Sequence, residues 1–171
     1  MPVKLFIADD HAIVRDGLRA LLDSSAYQIV GEAEDGLDAL ERIQKVRPDI
    51  AIIDIGLPGL NGIDLTRQLR KQMPRLGLIA LSMQTDPARI QAMLQAGADA
   101  YIVKGSAFKE LEYAISEVMQ NRRYISQSLP SEVQDLLHHQ KQQTKDTEEL
   151  SVRELTVLQL IAEGHTSKQI A

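Results

Sequence analysis

Four short apolar runs each end on a group that could take part in phosphoryl chemistry. Asp9-Asp10 follow Val3–Ala8, Asp54 follows 50–53, Ser82 follows 76–81, and Lys104 follows Ala100–Val103. If the runs are neighbouring strands, three carboxylates, a hydroxyl and an ammonium meet at one sheet edge. Carboxylates held there repel. At ~4 Å and an effective dielectric near 20, each pair costs about 4 kcal/mol. Lys104 supplies one compensating charge, and a divalent cation would supply the rest. The donors are hard oxygens, with no cysteine in the chain and only His11 nearby, so Mg²⁺ or Mn²⁺ is favoured over Zn²⁺. A metal, a lysine and a hydroxyl around one aspartate are what an aspartyl-phosphate requires. Asp54 is then the nucleophile, Lys104 and the metal offset the phosphoryl charge, and Ser82 donates a hydrogen bond to a phosphate oxygen.

These groups must be placed by the elements between them. Ile13, Val14, Leu18, Leu21 and Leu22 recur at helical spacing after the first run. Residues 28–33 read as a second strand, and Leu37, Leu40 and Ile43 as a helix stopped at Arg47-Pro48. Residues 50–53 are continuously apolar, which suits a central strand covered on both faces. A Pro/Gly-rich loop, Gly56 to Gly62, leads to a third helix over 63–73. The fourth strand is 76–81, the fourth helix 86–96 with Gly97 as its stop, the fifth strand Ala100–Val103 and the fifth helix 107–121. Five β-α units in succession predict an α/β fold, a doubly wound five-stranded parallel sheet with right-handed crossovers. Ligands of such sheets sit beyond the carboxyl ends of the strands, where the polar groups stand.

Composition sets the limits. The chain has 171 residues, 44% of them hydrophobic, enough for a real core. No apolar run approaches the ~18–20 residues of a membrane span, and the N-terminus reaches acid too soon for a signal peptide. The expected compartment is the cytosol. The net charge is −5, so no general affinity for nucleic acid follows from composition.

The organisation expected is a phosphoacceptor domain over 1–125, a partly helical linker over 126–149, and a further segment over 150–171. The linker is polar and Gln-rich, and His138-His139 belongs to its composition and not to a metal site. Ser151 and Glu154 form a capping box ahead of the stripe Leu155, Leu158 and Ile161. Thr166 to Gln169 forms a second such box, opening a helix that is unfinished at Ala171.

Asp9-Asp10, Asp54 with Leu57-Pro58-Gly59 and Asn61-Gly62, Leu81-Ser82, Gly97-Ala98, and Ala100 to Lys104 together resemble a response-regulator receiver domain over roughly residues 3–123. The stretch from Leu150 is similar to the opening of a LuxR-type helix-turn-helix. The whole resembles a two-component regulator of the NarL/FixJ type. The resemblance implies a flavodoxin-like strand order 2-1-3-4-5. It implies that Asp54 accepts phosphate from a sensor histidine kinase. Asp10 binds Mg²⁺ directly, Asp9 stands nearby, often acting through water, and Asp54 and the Gly56 carbonyl complete the metal set. Ser82 and Tyr101 form a switch pair, and Lys104 pairs with the phosphate. It also implies a homodimer through receiver helices, the fourth and fifth or the first and fifth. DNA would be bound only by a longer form with the complete effector, because the reading helix of the motif would follow Ala171. Leu57, Leu60, Met83 and Gly105 depart from the commonest family pattern.

Blander and competing readings stand beside this one. His11 reads as a helix-start residue beside the acids, and Tyr101 alone could be packing. Gly36, Gly62 and Gly97 read as backbone devices. The alternative function is a stand-alone receiver, an interaction module or phosphate sink without DNA output. An aspartyl-phosphate phosphatase wants a second acid two residues after its nucleophile, where this chain has Gly56. A flavodoxin wants a phosphate cradle where Asp9-Asp10 would repel the phosphate.

Overall fold

The computed structural model describes residues 1–138. The rest of the expected linker, 139–149, and the helix-turn-helix segment, 150–171, lie outside the described residues. Residues 1–130 form one compact unit. Strands and helices alternate along it: β1 (Val3–Ala8), α1 (Ala12–Leu21), β2 (Tyr27–Ala33), α2 (Gly36–Val46), β3 (Ile50–Asp54), α3 (Gly62–Gln72), β4 (Gly77–Ser82), α4 (Pro87–Ala96), β5 (Ala100–Val103), a 3₁₀ turn (Lys104–Ser106), α5 (Ala107–Met119) and β6 (Tyr124–Ile125). Residues 131–138, assigned to a second unit, are helical.

All strand pairs are parallel, in the order β2-β1-β3-β4-β5-β6. The order of the first five strands is the expected one; the count is not. The sheet has six strands and not five, because Tyr124 N–H bonds Asp99 O (3.1 Å) and Ser126 N–H bonds Tyr101 O (2.8 Å). A two-residue strand has no periodicity to read. It forms because β5 would otherwise leave a row of unpaired backbone groups at the sheet edge.

The strands divide their side chains between two layers, as the pleat dictates. Leu5, Ile7, Ile50, Ile52, Ile79, Leu81 and Ile102 form one core with Leu18 and Leu22 near α1 and with Leu111, Ala114, Ile115 and Val118 of α5. The alternate residues, Phe6, Ala51, Ile53, Leu78 and Ala80, are equally buried and face the side covered by α2, α3 and α4. β3 is buried along its whole length, as its unbroken apolar run requires.

The helices start where side chains can cap them. Asp35 accepts from Asp38 N (2.8 Å) at α2, Asn61 from Asp64 N (2.9 Å) at α3, and Asp86 from Ala88 N (3.3 Å) at α4, where Pro87 occupies the first turn. Two glycines allow α3 to begin against the end of β3 and α2 to begin against the loop that follows it. A Cβ on Gly62 would stand 2.2 Å from the Asp54 carbonyl oxygen, and one on Gly36 would stand 1.8 Å from that of Leu60. Among the described residues no helix is long and apolar enough to cross a membrane.

Candidate functional site

The carboxyl ends of β1, β3 and β5 deliver Asp9, Asp54 and Lys104 to one place. β3 pairs with β1 on one side and β4 on the other, so Asp54 emerges between the ends of those strands. Lys104 lies at the start of the 3₁₀ turn after β5, and its stem crosses back toward the middle of the sheet. Its Nζ is 2.9 Å from Asp9 Oδ2 and 3.3 Å from Asp54 Oδ2. Asp9 and Asp54 are buried, 1% and 5% exposed, and the Lys104 side chain is 9% exposed. One ammonium thus bridges two buried carboxylates.

Asp10 stands at the rim with its side chain 35% exposed. His11, the cap position of α1, closes the cluster. Its backbone N–H donates to Asp9 Oδ1 (2.8 Å), and its Nδ1 lies 3.0 Å from that same oxygen and 3.1 Å from Asp10 Oδ1. One potential ligand atom from each of Asp9, Asp10, His11 and Asp54 falls within 4.8 Å of the others.

The fit to a metal can be judged from the donors. Three carboxylates face a single lysine, so the charge is only partly offset, and the carboxylate atoms are hard oxygens. Such a set fits a divalent cation. Gly56 meets Asp54 through its amide, which donates to Asp54 Oδ1 (3.3 Å). Burial pushes the Asp54 carboxyl above the ordinary carboxylate range. Lys104 pulls it back down, and the neighbouring Asp9 charge pushes it up again.

Ser82 ends β4 and is buried, and its Oγ accepts from Gln84 N (3.1 Å). Tyr101 in β5 is fully buried and donates from Oη to the Gln84 carbonyl (2.7 Å). Both members of the expected switch pair therefore hold the same residue, one on each side of its backbone. Burial raises the Tyr101 phenol above its ordinary pKa, and the Ser82 hydroxyl works against that rise. Met83, between Ser82 and Gln84, turns its side chain to solvent.

Three residues that the sequence reading did not use for the site are part of its construction. Arg15 is buried in α1 and donates from Nη1 to the Asp9 carbonyl (2.6 Å) and from Nη2 to Glu34 (2.8 Å). It fixes the loop that carries Asp9 and Asp10. A signal was available: an arginine directly after Val14, against the apolar stripe of the first helix. Gln84 works through its backbone, which leaves no trace in residue type. His11 reads in the sequence as a helix-start residue beside the acids, with contact to the metal or phosphate region as the lesser alternative. It does start the helix, and its ring also reaches two of the acids.

A doubly wound parallel sheet with acids at the ends of two strands and a lysine bridging them at its carboxyl edge has the architecture of a receiver-type signalling domain. Comparison with known proteins agrees. Residues 5–116 match the response regulator receiver domain, and the chain belongs to that family. It is 38% identical over 171 residues to the DNA-binding transcriptional activator DevR/DosR of Mycobacterium tuberculosis, covering 99% of this chain and 78% of that one. It is 30% identical over 170 residues to Response regulator GacA of Pseudomonas aeruginosa, covering 99% and 79%. A crystal structure of a LuxR-family two-component response regulator from Aurantimonas matches with a TM-score of 0.74 at 32% identity, over 79% of this chain and 97% of that one. The chain is a receiver of the two-component type, switched by phosphorylation.

Proposed function

We propose that Asp54 takes the phosphoryl group from a phosphohistidine of a sensor kinase and that the switch is read out as transcription control. In the transfer, an Asp54 carboxylate oxygen forms a bond to phosphorus while the P–N bond of the donor breaks. The electron pair goes to the donor imidazole, which takes up a proton. Asp54 is the nucleophile because it is the acid at the end of the buried central strand. Lys104 moves its charge from the two carboxylates onto the phosphoryl oxygens. Asp9, Asp10, Asp54 and the Gly56 carbonyl would hold Mg²⁺ or Mn²⁺. When bound, that ion supplies charge for the transferring group and offsets the repulsion among the acids.

Ser82 then donates its hydroxyl to a phosphate oxygen. Its present bond from Gln84 N and the bond of Tyr101 to Gln84 O give that shift a route to the surface around β4 and α4. The readout in this proposal is a receiver over 1–125, a linker over 126–149 and a helix-turn-helix beginning at 150, with dimerisation through receiver helices, in a cytosolic protein. DevR/DosR, a relative over nearly the whole chain, carries DNA binding and transcriptional activation in its name, which supports this form of output.

The observation that carries the reading is Lys104 Nζ standing between Asp9 and Asp54. The test is incubation with phosphoramidate and Mg²⁺, followed by separation of phosphorylated from unmodified protein on a phosphate-affinity gel. A shifted band in the wild type and none in Lys104→Ala or Asp54→Asn supports it. A shifted band of equal intensity in all three rejects it.

A further inference from the structure

His11 places a nitrogen where a cation ligand would be. Its Nδ1 is 3.0 Å from Asp9 Oδ1 and 3.1 Å from Asp10 Oδ1. Adjacent ligands on an octahedral cation with bonds of about 2.1 Å are separated by about 3.0 Å. The imidazole already stands at that spacing from two carboxylate oxygens.

The ring is held there by its neighbours. The His11 backbone N–H is bound to Asp9 Oδ1 (2.8 Å), and Arg15 pins the Asp9 carbonyl (2.6 Å). Asp9 also divides its two oxygens. Oδ1 faces His11, while Oδ2 faces Lys104 Nζ at 2.9 Å. Lys104 Nζ also stands 3.5 Å from His11 Nδ1, so a cation on the Oδ1 side would take the imidazole from that contact and leave the lysine on Oδ2. The His11 side chain is 61% exposed, so the side away from the acids stays open to solvent.

We propose that His11 is a nitrogen ligand of the receiver cation, so that this site takes imidazole-preferring transition-metal ions such as Co²⁺ more tightly than Mg²⁺. The inference rests on the reading of the acid cluster as a metal site and adds a selectivity residue to it. Oxygen-only sites suit Mg²⁺, whereas an imidazole favours first-row transition ions. Asp9 and Asp10 serve either ion; His11 tells them apart.

The test is calorimetric titration of the full chain with MgCl₂ and with CoCl₂, in the wild type, His11→Phe and Asp10→Ala. Phenylalanine keeps a ring at an exposed position and removes the nitrogen. The wild type should bind Co²⁺ at least tenfold more tightly than Mg²⁺. His11→Phe should lose about tenfold in Co²⁺ affinity, a usual scale for a group that tunes a metal site, and stay within about twofold for Mg²⁺. With Co²⁺ bound, the wild type should show a paramagnetically shifted imidazole N–H resonance that is missing in His11→Phe. An unchanged Co²⁺/Mg²⁺ ratio in His11→Phe, with both ions still bound, overturns the role of His11 and leaves the acid site standing. No binding of either ion to the wild type, or undiminished binding to Asp10→Ala, overturns both.

Discussion

Tyr101 donates its phenolic hydrogen to the carbonyl oxygen of Gln84 over 2.7 Å, and it does so from a fully buried position. The amide of the same Gln84 donates to Ser82 Oγ (3.1 Å). A change at the Ser82 hydroxyl therefore reaches the tyrosine through Gln84 as well as directly. Ser82→Ala should still accept phosphoryl on Asp54 but lose most of the change in oligomeric state, read by light scattering with and without a phosphodonor. Tyr101→Phe should lower stability by about 1 kcal/mol, the usual net worth of one hydrogen bond, read from urea midpoints. A Ser82→Ala protein that switches like the wild type would remove the hydroxyl from the relay.

Lys104 and Asp54 should respond to mutation with opposite signs. Lys104→Met leaves Asp9 and Asp54 facing each other uncompensated and should cost on the order of 3 kcal/mol at neutral pH without metal. Asp54→Asn should raise stability under the same conditions. Burial holds the Asp54 carboxyl above its ordinary value of 3.8, so the stability that its proton confers is complete below that pH. That stability is lost as pH rises through the folded-state value. The melting advantage of Asp54→Asn over the wild type should thus be large at pH 7 and shrink toward pH 4. A gap that widened on acidification would contradict the burial argument.

Divalent cations should stabilise the protein. An ion that binds only the folded state adds RT ln(1 + [L]/Kd), and here it also relieves repulsion among the acids. The melting temperature should rise with millimolar Mg²⁺ in the wild type and rise less in Asp10→Ala. An equal rise in both would take Asp10 out of the metal set.

The sixth strand carries its own titration. Tyr124 donates to Glu110 (3.0 Å), Ser126 Oγ bonds the other Glu110 oxygen, and Gln127 N–H donates to Glu110 (2.8 Å). Burial and the adjacent Glu110 push the Tyr124 phenol up to about 12. A raised phenol pKa gives stability that is full below the ordinary value of 10.0 and lost as pH climbs toward about 12. Thermal melts of the wild type should fall across that window, and those of Tyr124→Phe should fall less. Parallel curves would show that the clamp is not coupled to this phenol.

Strand ends made the site legible in advance. Asp9, Asp54, Ser82 and Lys104 each follow an apolar run, and a parallel sheet leaves little choice about where such groups gather. The continuous burial of β3 and the helix stops were equally plain. What escaped depends on three-dimensional reach. Arg15 folds back to a carbonyl six residues earlier, Gln84 acts through backbone atoms that every residue owns, and the second role of His11 needs the distance from its ring to two acids. Tyr124–Ile125 is a strand only because β5 has an open edge beside it.

The central claim is that Asp54 carries the phosphoryl group. The most direct measurement traps the acyl phosphate by borohydride reduction and locates the modified residue by tandem mass spectrometry. The donor should be acetyl phosphate with Mg²⁺, applied to the wild type and to Asp54→Asn. The account predicts one reduced site in the wild type, at position 54, and none in the variant. Reduction at another carboxylate in the wild type, or equal modification of Asp54→Asn, would contradict it.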